Sequence, residues 1–104
     1  MNENRWKEIP DGDIVLAFSR CEYADEVHEV LKKAFGFPVY YGENWDALWD
    51  CMRDFAASQI KTRNIRICGF QKMPKEVREY CRGMLVVFSD IQEKYKRMRF
   101  TAEN

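Results

Sequence analysis

Three carboxylates recur at a spacing of four in the middle of this chain. Asp46, Asp50 and Asp54 lie in the stretch WDALWDCMRDF, and on a helix this spacing stacks side chains along one face. Such a stripe could bind a divalent cation, supply an acid and a base, or replace phosphates against a cationic partner. Neighbouring like charges repel by about 0.2–0.5 kcal/mol per pair, so the stripe slightly disfavours folding.

The surroundings of the stripe decide among these uses. A metal site would draw on Asp46, Asp50 and Glu43, but no histidine and no metal-loop pattern lies nearby, so we expect no metal and no cofactor. A hydrolase using the first two as acid and base would lack a nucleophile and an oxyanion site. His28, the only histidine, lies on the flank of a predicted helix, and nothing local supports a Cys–His nucleophile. We therefore do not expect an enzyme.

Aromatic side chains flank the carboxylates. Tyr40 and Tyr41 precede the helix, and Trp49 lies at the border between its acidic and apolar arcs. Aromatic anchors beside uncompensated charge are typical of the centre of a protein interface. The plain alternative is an ordinary solvated helix face. The pattern favours a surface that docks onto a basic partner.

Periodicity and capping residues predict the elements that position this surface. Gly36 suits the end of a first helix, Asn44 suits the N-cap of a second, and Gly83 inside a third costs roughly 1 kcal/mol against alanine. Strands alternating with helices indicate an α/β fold with a small, mainly parallel sheet flanked by helices. The predicted order is a strand at 13–20, helices at 23–35 and about 45–57, a strand at 64–70, one helix at about 75–96 and a strand at 98–102.

Length and charge limit the classes of function. At 104 residues the chain is one domain, which we place at 13–104 after an N-terminal arm at 1–12. Its 17 basic and 17 acidic residues balance, which argues against a nucleic-acid binder with a generally basic surface. The charge is segregated, however, with net values of −1 over 1–21, −5 over 22–54 and +6 over 55–104. An acidic middle segment can present a negative patch to a basic protein.

The sequence shows no feature of a membrane or secreted protein. Its longest nearly apolar runs, 14–18 and 84–88, are far shorter than the roughly 20 residues that cross a bilayer, and the start does not resemble a secretory signal. We expect a cytoplasmic monomer without membrane contact. The four cysteines form no C-x-x-C pair, so we expect free thiols.

The run YYGENWDALWDC at 40–51 resembles the signature of the barstar family of ribonuclease inhibitors. The resemblance is dense over 31–51 and weaker but in register over 13–103, where VFSD at 87–90 is similar to part of the family's last helix. It implies a three-stranded parallel sheet flanked by helices. It also implies that the second helix and its preceding loop block the cationic active site of a basic ribonuclease.

The resemblance also implies the contact residues. Asp50 would lie where a substrate phosphate lies, and Asp46 would add a charge one turn earlier. A binding module that recognises a basic protein other than a nuclease, through the same helix, remains the alternative. The candidate partner-binding residues are Tyr40, Asn44, Trp45, Asp46, Trp49, Asp50, Asp54, Phe55 and Asp90.

Four positions depart from the family pattern. Trp45 replaces a leucine-sized contact, and Phe55 replaces an interface tryptophan. Arg53 replaces a neutral contact residue and Lys94 an acidic one, and both should weaken docking onto a strongly basic enzyme by like-charge repulsion. We therefore expect a cognate ribonuclease whose rim differs from that of the family's usual target.

Overall fold

The computed structural model describes residues 5–103, and its strands form one parallel sheet with the second strand in the centre. The strands are β1 (Ile14–Ala17), β2 (Arg63–Cys68) and β3 (Met98–Glu103). Between β1 and β2 lie α1 (Ala24–Phe35) and α2 (Trp45–Ala57), and between β2 and β3 lie a short 3-10 helix (Phe70–Lys72), α3 (Lys75–Tyr80) and α4 (Arg82–Lys94). The predicted α/β fold with a small parallel sheet flanked by helices is confirmed.

Alternating side chains give the sheet one apolar face. Ile14 of β1 is in register with Ile65 of β2, which is in register with Phe100 of β3, and this row faces the core. The neighbouring row pairs exposed Val15 with Arg66 and faces away from it. The core therefore lies between one face of the sheet and the helices.

The ends of the first two helices are fixed as predicted. Gly36 ends α1 in the left-handed conformation at φ +70°, and a Cβ there would overlap the carbonyl oxygen of Lys7. Asn44 caps α2, because its side-chain oxygen accepts the N–H of Ala47 at 2.8 Å. The two caps confirm the predicted end of α1 and the predicted start of α2, the helix that carries the carboxylates.

The single helix predicted at about 75–96 is wrong, because the structure divides it into α3 and α4 at Cys81. The ψ angle of Cys81 is −1°, far from the helical value of about −42°. Trp45 accounts for the break, since its indole N–H donates to the carbonyl oxygen of Tyr80 at 3.2 Å. Its ring also fills the space beside Gly83, where a Cβ would overlap Cδ1. Gly83, which the sequence predicts to lower helix stability, is thus required by the packing against Trp45.

The described part of the N-terminal arm lies on the core. Trp6 packs edge-on against Phe37, with ring centroids 5.5 Å apart, and stacks on Phe55 at 6.3 Å. The backbone N–H of Lys7 donates to the carbonyl of Gly36 at 2.8 Å. Trp6 and Lys7 therefore cover the end of α1, and the first four residues of the predicted arm lie outside the described chain.

Candidate functional site

Helix α2 presents its carboxylates to solvent. Asp46 is exposed, and the side chains of Asp50 and Asp54 are 67% and 61% exposed. Leu48 and Met52, on the opposite side of the helix, are fully buried. The burial of one arc and the exposure of the other create a rigid stripe of negative charge, hereafter the acidic stripe (Asp46, Asp50 and Asp54).

Arg53 lies within reach of two members of the acidic stripe. Its guanidinium is 4.0 Å from a carboxylate oxygen of Asp50 and 3.8 Å from one of Asp54. The arginine side chain is 46% exposed, and ion pairs in water at such distances contribute no more than about 1 kcal/mol. Both carboxylates therefore stay available to a partner at a small cost.

The two tyrosines before α2 point in different directions. Tyr40 is exposed, whereas Tyr41 is buried with its hydroxyl 2.7 Å from Nδ1 of His28. Trp49 is partly buried at the edge of the core. Of these three predicted aromatic residues, Tyr40 and Trp49 thus keep exposed surface, and Tyr41 supports the loop from inside.

His28 joins the elements around the start of α2. The ring is 2% exposed, its Nε2 is 2.7 Å from the hydroxyl of Tyr80, and the Trp45 ring lies 4.7 Å from its centroid. Burial lowers the pKa of His28, against the smaller opposing effect of the Glu43 and Asp25 carboxylates. A neutral imidazole donates through one nitrogen and accepts through the other, so each tyrosine hydroxyl has one hydrogen-bond partner on the ring.

The sequence placed His28 only on a helix flank and gave no hint of this network. Its two hydroxyl partners come from the loop before α2 and from α3, which begins more than 40 residues after the histidine. No local spacing connects such distant residues, so the fold alone reveals them. We call His28, Tyr41, Tyr80 and Trp45 the histidine network.

Trp45 and Phe55, both predicted as contacts, are held inside the protein to different degrees. Trp45 is partly buried, and its ring is tilted against the rings of His28 and Tyr80 at centroid distances of 4.7 Å. Phe55 is 6% exposed and packs on Phe35 at 5.1 Å. Phe55 therefore belongs to the core, and we leave it out of the docking surface proposed below.

Asp90 lies on α4, beside α2 rather than on the acidic stripe. The two helices run in the same direction, because Trp45 meets Gly83 near their starts, and Ala56 lines a groove with Lys94 near their ends. Asp90 is exposed one turn before the end of α4. Asp90 thus lies on the helix next to the one that carries the acidic stripe, and its contact with a partner stays a prediction.

Metal ligands and reactive thiols would be two other sources of chemistry in the described chain. Within residues 5–103, no group of three or more His, Cys, Asp or Glu side chains could hold a metal ion. All four cysteines have free thiols, and burial raises the pKa of Cys51 and of Cys81 to about 11. These two thiols are therefore protonated at neutral pH and are poor nucleophiles. None of the helices in this part of the chain is long and apolar enough to cross a membrane.

Two comparisons with known proteins identify the family of this chain. The family model described as Barstar (barnase inhibitor) matches residues 13–103. The chain is also similar to the protein named "Putative ribonuclease inhibitor YrdF" from Bacillus subtilis (strain 168). The two are 31% identical over 83 residues, which cover 80% of this chain and 88% of that protein. The chain belongs to the barstar family.

Proposed function

We propose that this protein inhibits a basic ribonuclease by laying α2 and its preceding loop over the cationic active site of the enzyme. The observation that carries the proposal is the acidic stripe, exposed along a helix whose start is fixed by a cap and by core contacts. Family membership and the name of the Bacillus relative support the same activity. In this proposal the protein acts as a cytoplasmic monomer and protects its producer from an intracellular or imported nuclease.

The chemistry of a ribonuclease cleft explains why such a stripe would bind there. Cationic groups that bind RNA phosphates also form short, strong hydrogen bonds with carboxylates. Asp50 is the middle member of the acidic stripe and is the best placed to replace a phosphate, while Asp46 and Asp54 lie one turn to either side. The Asn44 cap and the Trp45 hydrogen bond hold the helix in place before binding, which reduces the entropy lost on association.

Inhibition of RNA cleavage tests the proposal directly. Purified basic ribonucleases encoded in the same genome should be titrated with the chain, and we expect one of them to lose activity at a 1:1 ratio. Asp50→Ala should shift the titration to higher concentrations. Glu29→Ala, which removes an exposed acid from the middle of α1, is the matched control and should inhibit like the wild type.

Two outcomes would contradict the proposal. The first is that none of these ribonucleases is inhibited at concentrations well above that of the enzyme. The second is that the wild type and Asp50→Ala inhibit equally, which would place the contact on another surface. Asp50-dependent binding to a basic protein without nuclease activity would instead establish the alternative function.

A further inference from the structure

A basic groove lies where α2 and α4 end side by side. It has a volume of about 510 Å³, with Ala56, Ala57 and Tyr95 among its walls. Lys94, Lys96 and Arg97 line the same groove and are exposed. Hereafter this cavity is called the basic groove.

The positive charge of the basic groove is larger than the partial negative charge of the two helix ends beside it. Among residues 5–103, none of its three cations has a carboxylate within 4.0 Å. The ordinary role of such residues is to offset helix ends, and Arg97 does donate to the carbonyl of Gln59 at 3.0 Å. Two helix C-termini carry only about −0.5 charge each, so about two positive charges remain for a ligand.

One wall of the basic groove, formed by Ala57, lies on the same side of α2 as the acidic stripe. At 100° per residue, Ala57 falls about 20° from Asp50 around the helix axis and about 10 Å further along it. Ala57 is exposed, whereas the preceding Ala56 is buried on the side of α4. A standard interface covers about 800 Å² of each partner, so a protein centred on Asp50 would also cover the basic groove.

We propose that the basic groove binds an acidic segment on the rim of the same ribonuclease. This inference rests on the proposed function and concerns the specificity of that site. The partner ribonuclease presents cations to Asp46 and Asp50. It presents carboxylates to Lys94, Lys96 and Arg97. Charge complementarity and continuity with the docking surface support it. RNA fits less well, because Asp54 of the acidic stripe lies only three residues before Ala57 and would repel a chain of phosphates running past the groove. A protein can instead present cations to the stripe and carboxylates to the groove.

Paired charge reversals test the contact in the complex. Lys94→Glu/Lys96→Glu should raise the Kd for the inhibited ribonuclease at least tenfold, and Lys94→Gln/Lys96→Gln should raise it less. Lys33→Glu/Lys72→Glu is the control, since it changes the net charge equally and also alters the last turn of a helix. A reversal that binds as well as this control, or more tightly, would overturn the proposal.

A second measurement does not need the ribonuclease. Acetylated, amidated hexaglutamate should be titrated into the full-length ¹⁵N-labelled chain, with a 2′-O-methyl hexauridylate as the nucleic-acid probe. We expect the peptide to shift the backbone amides of residues 57–59 and 94–97, and Lys94→Glu/Lys96→Glu to abolish these shifts. Tighter binding of the oligonucleotide at the same amides, or no shift with either probe, would overturn the proposal.

The two measurements distinguish failure of the proposed function from failure of this inference. Suppose that the wild type inhibits a ribonuclease, that Asp50→Ala weakens the inhibition, and that the lysine reversals do not. The basic groove then has no acidic ligand on that enzyme, and only this inference fails. If no ribonuclease is inhibited while the peptide binds the groove, the proposed function fails and the acidic ligand of the groove stands.

Discussion

We expect Asp50 to contribute to binding through its exposed position on the acidic stripe rather than through a contact within the chain. Its side chain is largely exposed, with Arg53 at 4.0 Å as a weak neighbour. We expect Asp50→Ala to raise the Kd for the ribonuclease by a factor of about 30 or more, which is about 2 kcal/mol. That magnitude is the general one for charged hot spots at interfaces, of which the barstar family itself is an established example. Calorimetric titration gives the Kd, and a urea midpoint close to that of the wild type shows an intact fold.

We expect the burial of His28 to make the stability of the protein depend on pH. Burial lowers its folded-state pKa below the ordinary value of 6.5, so the unfolded chain binds a proton more readily. The free energy of unfolding should be highest above about pH 6.5 and fall below it, by at most about 1.4 kcal/mol per pH unit for one proton. Urea denaturation between pH 7.5 and 5.5 measures the slope. His28→Gln should flatten it, and an unchanged slope would assign the effect to other groups.

Single residues show what the sequence could and could not predict about the site. The acidic stripe is exposed as predicted, because helical periodicity separates polar from apolar arcs. Helical periodicity does not predict which distant side chains will cover an apolar arc of a helix. Phe55 is covered by Trp6 from the arm, and Tyr41 turns inward to meet His28. These contacts join distant parts of the chain and therefore left no local signal.

At the scale of elements, the junction between α3 and α4 depends on the fit between Trp45 and Gly83. We expect Gly83→Ala to destabilise the protein by about 1–3 kcal/mol through overpacking, although alanine is the better helix former by about 1 kcal/mol. Urea denaturation measures the change. Because Trp45→Leu removes the obstructing ring, Gly83→Ala should be neutral or stabilising in that background. Equal effects in both backgrounds would show that the two residues do not interact.

The elements themselves were predictable to different degrees. The bounds of α1 and α2 follow from Gly36 and Asn44, whose local chemistry acts within a few residues. The break at Cys81 was not predictable, because buried positions keep the same helical spacing on both sides of it. The cause lies on α2, in the indole of Trp45. Local signals therefore fix the ends of elements better than interruptions caused by tertiary contacts.

At the scale of the whole molecule, charge segregation should govern how quickly a partner arrives. The net charge is zero, but residues 22–54 carry −5 and residues 55–104 carry +6. A basic partner should be attracted to the acidic side and associate faster than the unsteered ~10⁵–10⁶ M⁻¹s⁻¹. Stopped-flow mixing at several salt concentrations measures this rate. We expect it to fall as salt rises, since the Debye length is only ~8 Å at about 0.15 M. A rate indifferent to salt would indicate binding through another surface.

The distribution of the four free thiols has a practical consequence for following motion in this molecule. Cys51 is buried on α2 and Cys81 at the junction of α3 and α4, whereas Cys68 at the end of β2 is partly exposed. Only the thiolate reacts with an alkylating reagent, so a buried, protonated thiol is labelled when its surroundings open and water enters. Alkylation of Cys68 therefore reports the closed protein. Alkylation of Cys81 reports opening of the core at the junction of α3 and α4, and alkylation of Cys51 reports opening of the core beneath α2. A ribonuclease seated on α2 should slow the labelling of Cys51 first, which makes the unmodified chain a reporter of its own docking.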